Sequence, residues 1–138
     1  MRIFNIFRDC SYPRYQPKSD QPIVTQFDTG IAFNFFLLEN NQPCSLAGSK
    51  VFLSFKNDEN DVLFTTECTV TQDLSTNPTT QITYISDERL TLRSGLVHGI
   101  LDLVDAEGYR TAFPTFGIVI HPHLLDEPAS IDNQFKRG

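Results

Sequence analysis

The chain has 138 residues, 40% hydrophobic and 20% charged, which is enough for one globular domain with a two-layer core and excludes a disordered composition. Its net charge of −6, with Lys and Arg scattered along the sequence, excludes nucleic-acid binding through phosphates, which needs clustered positive charge. Met1–Arg8 lacks the apolar core of a signal peptide, and no stretch is long and apolar enough to span a membrane, so neither export by the general route nor membrane insertion is expected.

Arg8–Pro22 holds Pro13, Pro17 and Pro22 among polar residues and reads as an extended arm, residues 1–22, with the short run Ile3–Phe7 able to add to a sheet edge. The body, residues 23–125, reads as strands separated by turns. Ile23–Phe27 is a short apolar run, and Asp28-Thr29-Gly30 is a turn. Ile31–Leu38 alternates with Ile31, Phe33, Phe35 and Leu37 on one face, and its other face is also largely apolar, as in a strand buried on one side and partly covered on the other.

Asn40-Asn41-Gln42-Pro43 is a turn. Val51–Lys56 and the Thr-rich Val62–Val70 form a hairpin around the polar loop Asn57–Asp61. Thr71–Thr80 reads as a loop, Gln81–Ser86 as a strand, and Asp87–Leu92 as one helical turn capped by Asp87. Leu96–Val104 is a strand, Asp105–Gly108 a turn, and Tyr109–Ile120 a strand bent at Pro114, since proline is confined to edges and bulges. Residues 126–138 read as a flexible tail.

Short strands at regular spacing, with no helical period of useful length, predict an all-β fold: an antiparallel two-sheet β-sandwich with extended N- and C-terminal arms. Period-two alternation places Ile31, Phe33, Phe35, Leu53, Phe55, Leu101 and Leu103 in its core. The twelve Phe residues favour such half-buried, pleated surfaces.

No constellation specifies catalysis or a cofactor. His121 and His123 flank Pro122, which breaks the strand geometry a His-x-His metal pair needs, and no spacing supplies a third ligand. His98 lies mid-strand with no nucleophile-elbow motif near it. Asp58, Glu59 and Asp61 lack the spacing and closing Glu of a calcium loop and read as a solvated hairpin tip. Cys10, Cys44 and Cys68 are odd in number and widely spaced, so three reduced thiols are expected. The apolar residues Ile3, Phe4, Ile6 and Phe7, with Tyr12 and Tyr15 in the arm, are candidate partner-binding residues.

Taken in order, Phe27–Gly30 before the Ile31–Leu38 strand, Asn41-Gln42-Pro43, Leu46-Ala47-Gly48, Val51–Lys56, Gly95-Leu96-Val97 and Asp105–Tyr109 resemble the N-terminal domain of the baseplate upper proteins of long-tailed phages infecting Gram-positive bacteria. The resemblance covers Gln26–Ile120. It implies a non-enzymatic structural protein of a phage tail tip or baseplate, made in the host cytoplasm and carried in the virion tail. It would bind other tail proteins or, as a weak homo-oligomer, itself. The alternatives are a receptor- or carbohydrate-binding module of the virion, acting on a host-surface ligand, and a small hydrolase using His98 or an acidic pair. The long C-terminal part of that family is not seen, which favours an adaptor over a receptor-binding role.

Overall fold

A computed structural model describes residues 2–11, 16–72 and 80–124. Among them the strands are β1 (Ile3–Asp9), β2 (Ile23–Thr25), β3 (Ala32–Glu39), β4 (Gln42–Pro43), β5 (Lys50–Asn57), β6 (Val62–Gln72), β7 (Thr80–Ile85), β8 (Gly95–Val104), β9 (Arg110–Ala112) and β10 (Phe116–His121). A single helical turn, α1 (Glu88–Thr91), has Asp87 as its cap, with the Asp87 carboxylate accepting from the Arg89 amide. The chain is all-β.

The two sheets expected from the alternation are joined into one. The strands run in the order β1-β3-β7-β6-β5-β8-β10-β2, with β4 added to β3 and β9 to β8. The join is β6. Its Val62–Cys68 stretch pairs with β5 and its Thr69–Gln72 stretch with β7, so one long strand serves both halves, as strands that turn the corners of orthogonally packed sheets do.

The curl stacks the halves on an aromatic core. Phe35 of β3 meets Phe116 of β10 at 5.3 Å between ring centroids, and Phe55 of β5 meets Tyr84 of β7 at 5.6 Å. Ile31, Phe33, Phe35, Leu53, Phe55 and Leu101 are all buried, and Leu103 packs against the cluster partly buried. At about 25 cal/mol per Å² of apolar surface, each large ring removed from water contributes on the order of 2–3 kcal/mol.

The N-terminal segment differs from the extended arm read in the sequence. β1 runs parallel to β3 from Ile3↔Ala32 to Asp9↔Leu38, and Ile6 is a core residue, 1% exposed. Ile6 therefore serves the chain's own core and is not a display site. Residues 16–20 then run back along the outer edge of β1. The amides of Asn5, Phe7 and Asp9 donate to Asp20 Oδ2, Ser19 Oγ and Gln16 Oε1 at 2.7–2.8 Å. Side chains thus satisfy donors that would otherwise template another strand.

The same segment continues to the opposite end of the sheet. The Gln21 side chain donates to Gly117 O, the Val119 amide donates to Pro22 O, and β2 pairs parallel with β10 from Val119↔Ile23 to His121↔Thr25. Arg8 Nε adds a hydrogen bond to Thr115 O across the gap. The strand expected over Ile23–Phe27 ends at Thr25 because Phe27 takes a positive φ of 73°. That turn is tied to α1, with the Phe27 amide donating to Thr91 O and Thr91 Oγ1 to Asp28 O.

Asp9, fully buried, fixes the β3–β4 turn by accepting from the amides of Asn40 and Asn41. Both asparagines have positive φ, the geometry favoured in tight hairpins.

Gly99 is the position where a side chain has no room. It faces Phe116 in the β8–β10 register, and a Cβ added there would lie 2.2 Å from the Phe116 ring. The Phe116 ring also touches Phe35 and Phe55, so it cannot swing aside freely. We expect Gly99→Ala to destabilise the chain by about 1–3 kcal/mol through overpacking, read as a lower urea midpoint at unchanged slope. An unchanged midpoint would mean the ring finds another rotamer.

Candidate docking surfaces

Two surfaces carry apolar side chains that the core does not claim. The first is the outer face of β1, β3 and β7. The register alternates there: Phe4, Ile6 and Arg8 turn toward the core side, while Ile3, Asn5 and Phe7 turn outward. Phe7 stacks on Phe36 at 4.6 Å. Asn5, Asn34 and Thr83 form a hydrogen-bonded ladder across the three strands. Ile3 and Ile85, 55% and 54% exposed, flank Ala32 in the same row.

Of the candidate partner-binding residues, Ile3 and Phe7 lie on this face, Phe4 packs against the core edge beside Phe33, and Ile6 is internal. Tyr12 and Tyr15 lie outside the described residues.

The second surface is a groove of ≈ 710 Å³ between the start of β6, the loop after α1 and the start of β8. Its floor is Leu63, Leu90, Leu92, Leu96 and Val97. Leu90 and Val97 belong to the core, whereas Leu63, Leu92 and Leu96 are exposed.

Charge is divided along the groove. Arg89 and Arg93 stand at the α1 side, and Asp58 and Glu59 stand at the hairpin tip. Arg89 is held in place twice over, by a fork to the Asp87 carboxylate and by its guanidinium lying 4.2 Å above the Phe64 ring. This contact holds the Asp87 carboxyl below the usual carboxylate range. The leucines come from three separate segments, so no sequence window displays the groove.

The histidines and acids take up simpler roles. His98 Nε2 sits 3.2 Å from Asp58 Oδ1, joining two residues that the sequence had left unrelated. No Ser, Thr or Cys hydrogen-bonds to His98 among the described residues. The His123 ring packs beside Phe27 at 5.8 Å and its amide donates to Gln26 Oε1, while His121 is exposed at the end of β10.

Asn57 Oδ1 accepts from the amides of Glu59 and Asp61, which builds the hairpin tip from within. Among the described residues no group of three or more His, Cys, Asp or Glu side chains could hold a metal ion, and no helix is long and apolar enough to cross a membrane.

With this geometry in hand, comparisons bear on what the fold is. No protein-family model matches the chain, and no curated protein matches it in sequence. The chain is similar in structure to the N-terminal domain of phage TP901-1 ORF48. The TM-score is 0.59 at 14% sequence identity, over 85% of this chain and 98% of that one. At that identity the likeness is one of fold, and it runs through nearly the whole of the phage domain.

Burial also governs the protons. Burial pushes the Cys44 and Cys68 thiols from their ordinary value of 9.0 up to about 12, and the Tyr84 phenol from 10.0 up to about 12. The folded chain therefore keeps protons that an unfolded chain releases near pH 9 to 10. Above pH 9 the unfolded state binds fewer protons, so stability falls as pH rises toward 12. Thermal melts between pH 8 and 11 should show the melting temperature declining from about pH 9, with a shallower decline in Cys68→Val. A melting temperature constant to pH 11 would contradict the burial of these groups.

Proposed function

We propose that this protein is a structural and assembly component of a phage tail tip or baseplate, which binds other tail proteins or further copies of itself and turns over no substrate. One observation carries the reading: a fold similar along nearly its full length to a phage protein's N-terminal domain, in a chain whose Gln26–Ile120 segment resembles baseplate upper proteins.

The surfaces support it. The outer face of β1–β3–β7 offers Ile3 and Phe7 outward on one strand, the kind of surface that contacts a neighbouring subunit. Phe4 at the edge would extend that contact, and Tyr12 and Tyr15 stay candidate partner-binding residues on their sequence alone. Docking there would use side chains on a sheet face, because the β1 edge is already capped by Gln16, Ser19 and Asp20. A single contact of this size is weak, and symmetric arraying on a virion would strengthen it. The carbohydrate-binding reading lacks the Trp platform such sites commonly use, since the chain has none.

The test is immunolabelling of virions from the phage genome that encodes the chain. Antibody against this protein should decorate the tail tip. Ile3→Asp should reduce incorporation about tenfold with little change in melting temperature. Virions that contain no copy of the chain would contradict the reading.

A further inference from the structure

β6 changes partner along its length, so each half has one neighbour. Residues 62–68 pair with β5 alone and residues 69–72 with β7 alone. The longer first half therefore presents an edge along which every second residue turns its N–H and C=O away from β5. Among the described residues no hydrogen bond from outside the β5 ladder reaches the backbone of this stretch.

Other edges are blocked or short. β1 is capped by Gln16, Ser19 and Asp20. β2 has three residues, and Asp28 takes both the amide and the carbonyl of Thr25. β4 has two residues and β9 three. Residues 64–68 carry neither proline nor lysine, the residues that commonly guard an edge. The irregularity of the ladder, the extra residue Leu63 between Phe55↔Phe64 and Lys56↔Val62, lies at the end of the stretch.

The stretch is its own complement. Leu63, Thr65 and Glu67 are exposed, while Phe64 and Thr66 are half-buried. In antiparallel pairing about a twofold axis at Thr65, Thr65 meets Thr65, Leu63 meets Glu67, and acid never opposes acid. Glu67 is in no ion pair among the described residues. Seated opposite Leu63 of a second copy, its carboxylate enters the groove that Leu63 lines together with Arg89 and Arg93. The Arg89 guanidinium lies 4.2 Å above the ring of Phe64, the residue after Leu63. Arg93 is exposed and, among the described residues, is in no ion pair either. The twofold axis makes the contact twice, which an unrelated extended peptide would not.

We propose that two copies of this chain join edge to edge and antiparallel through residues 63–67 of β6, with Glu67 of each copy beside Arg89 and Arg93 of the other. The proposal rests on the self-association named in the assembly reading and deepens it by giving the seam and its register.

The purified full chain tests it. A seam this short is weak, so sedimentation equilibrium should show a reversible dimer with a dissociation constant on the order of 0.1–1 mM. Glu67→Arg should weaken the dimer about tenfold, and Arg93→Glu should do the same. Glu67→Arg/Arg93→Glu should return to within about threefold of the native chain, which separates a broken contact from a broken fold. Thr65→Cys should link two copies in a glutathione redox buffer, because directly opposite Cβ atoms lie about 5 Å apart. Linkage no greater than in the native chain would overturn the register and with it the proposal. A native chain that stays monomeric at about 2 mM would overturn it too, and so would association that Glu67→Arg leaves unmoved. A monomeric chain that still labels the virion tail tip would defeat the seam and leave the assembly role standing.

Discussion

One N-terminal segment supplies the strands at both ends of the sheet. β1 closes the β3 side, β2 closes the β10 side, and residues 16–22 join them across the gap by hydrogen bonds to each. A curled sheet of this kind buries its aromatic core only while its two halves stay in contact. The restraint comes from β6 at one side of the curl and from this segment at the other. The pairing is parallel at both ends, β1 with β3 and β2 with β10. Ile6 in the core and Arg8 reaching Thr115 show that the closure is made by side chains as well as by the ladder.

The closure also explains where the chain can meet others. A long open edge on β1 would recruit strands indiscriminately. Gln16, Ser19 and Asp20 occupy it with side-chain hydrogen bonds, and the Asp20 amide adds one to Asn5 O. Apart from the uncapped stretch of β6, what is left outward is side-chain surface: the face with Ile3 and Phe7 on one half, and the leucine groove lined by charged groups on the other. An assembly protein built in this way selects partners by the shape and charge of those surfaces.

The positions of most strands were legible in the sequence because period-two alternation is local. Ile31 to Leu37, Val51 to Phe55 and Leu101 to Leu103 announce their buried face, and Asp87 announces the helical turn. What could not be read was set by contacts distant in sequence. The proline content of Arg8–Pro22 suggested an unattached arm, yet Asn5, Phe7 and Asp9 find their partners in residues 16–20 once β1 lies on β3. The single sheet was hidden because nothing in Val62–Gln72 marks the point at which its partner changes from β5 to β7. The groove was hidden because Leu63, Leu92 and Leu96 look like ordinary strand and loop leucines until the fold brings them together.

Native-state hydrogen exchange measured across β1 and β2 tests the closure most directly. If the N-terminal segment holds the curl shut, the amides of Ile6 and Val24 should exchange only by the same global opening that releases Phe35, Leu53 and Leu101, with equal free energies and equal sensitivity to denaturant. Exchange at Ile6 and Val24 far faster than at those core residues, while the core stays protected, would show that the sheet keeps its shape without them and would contradict the account.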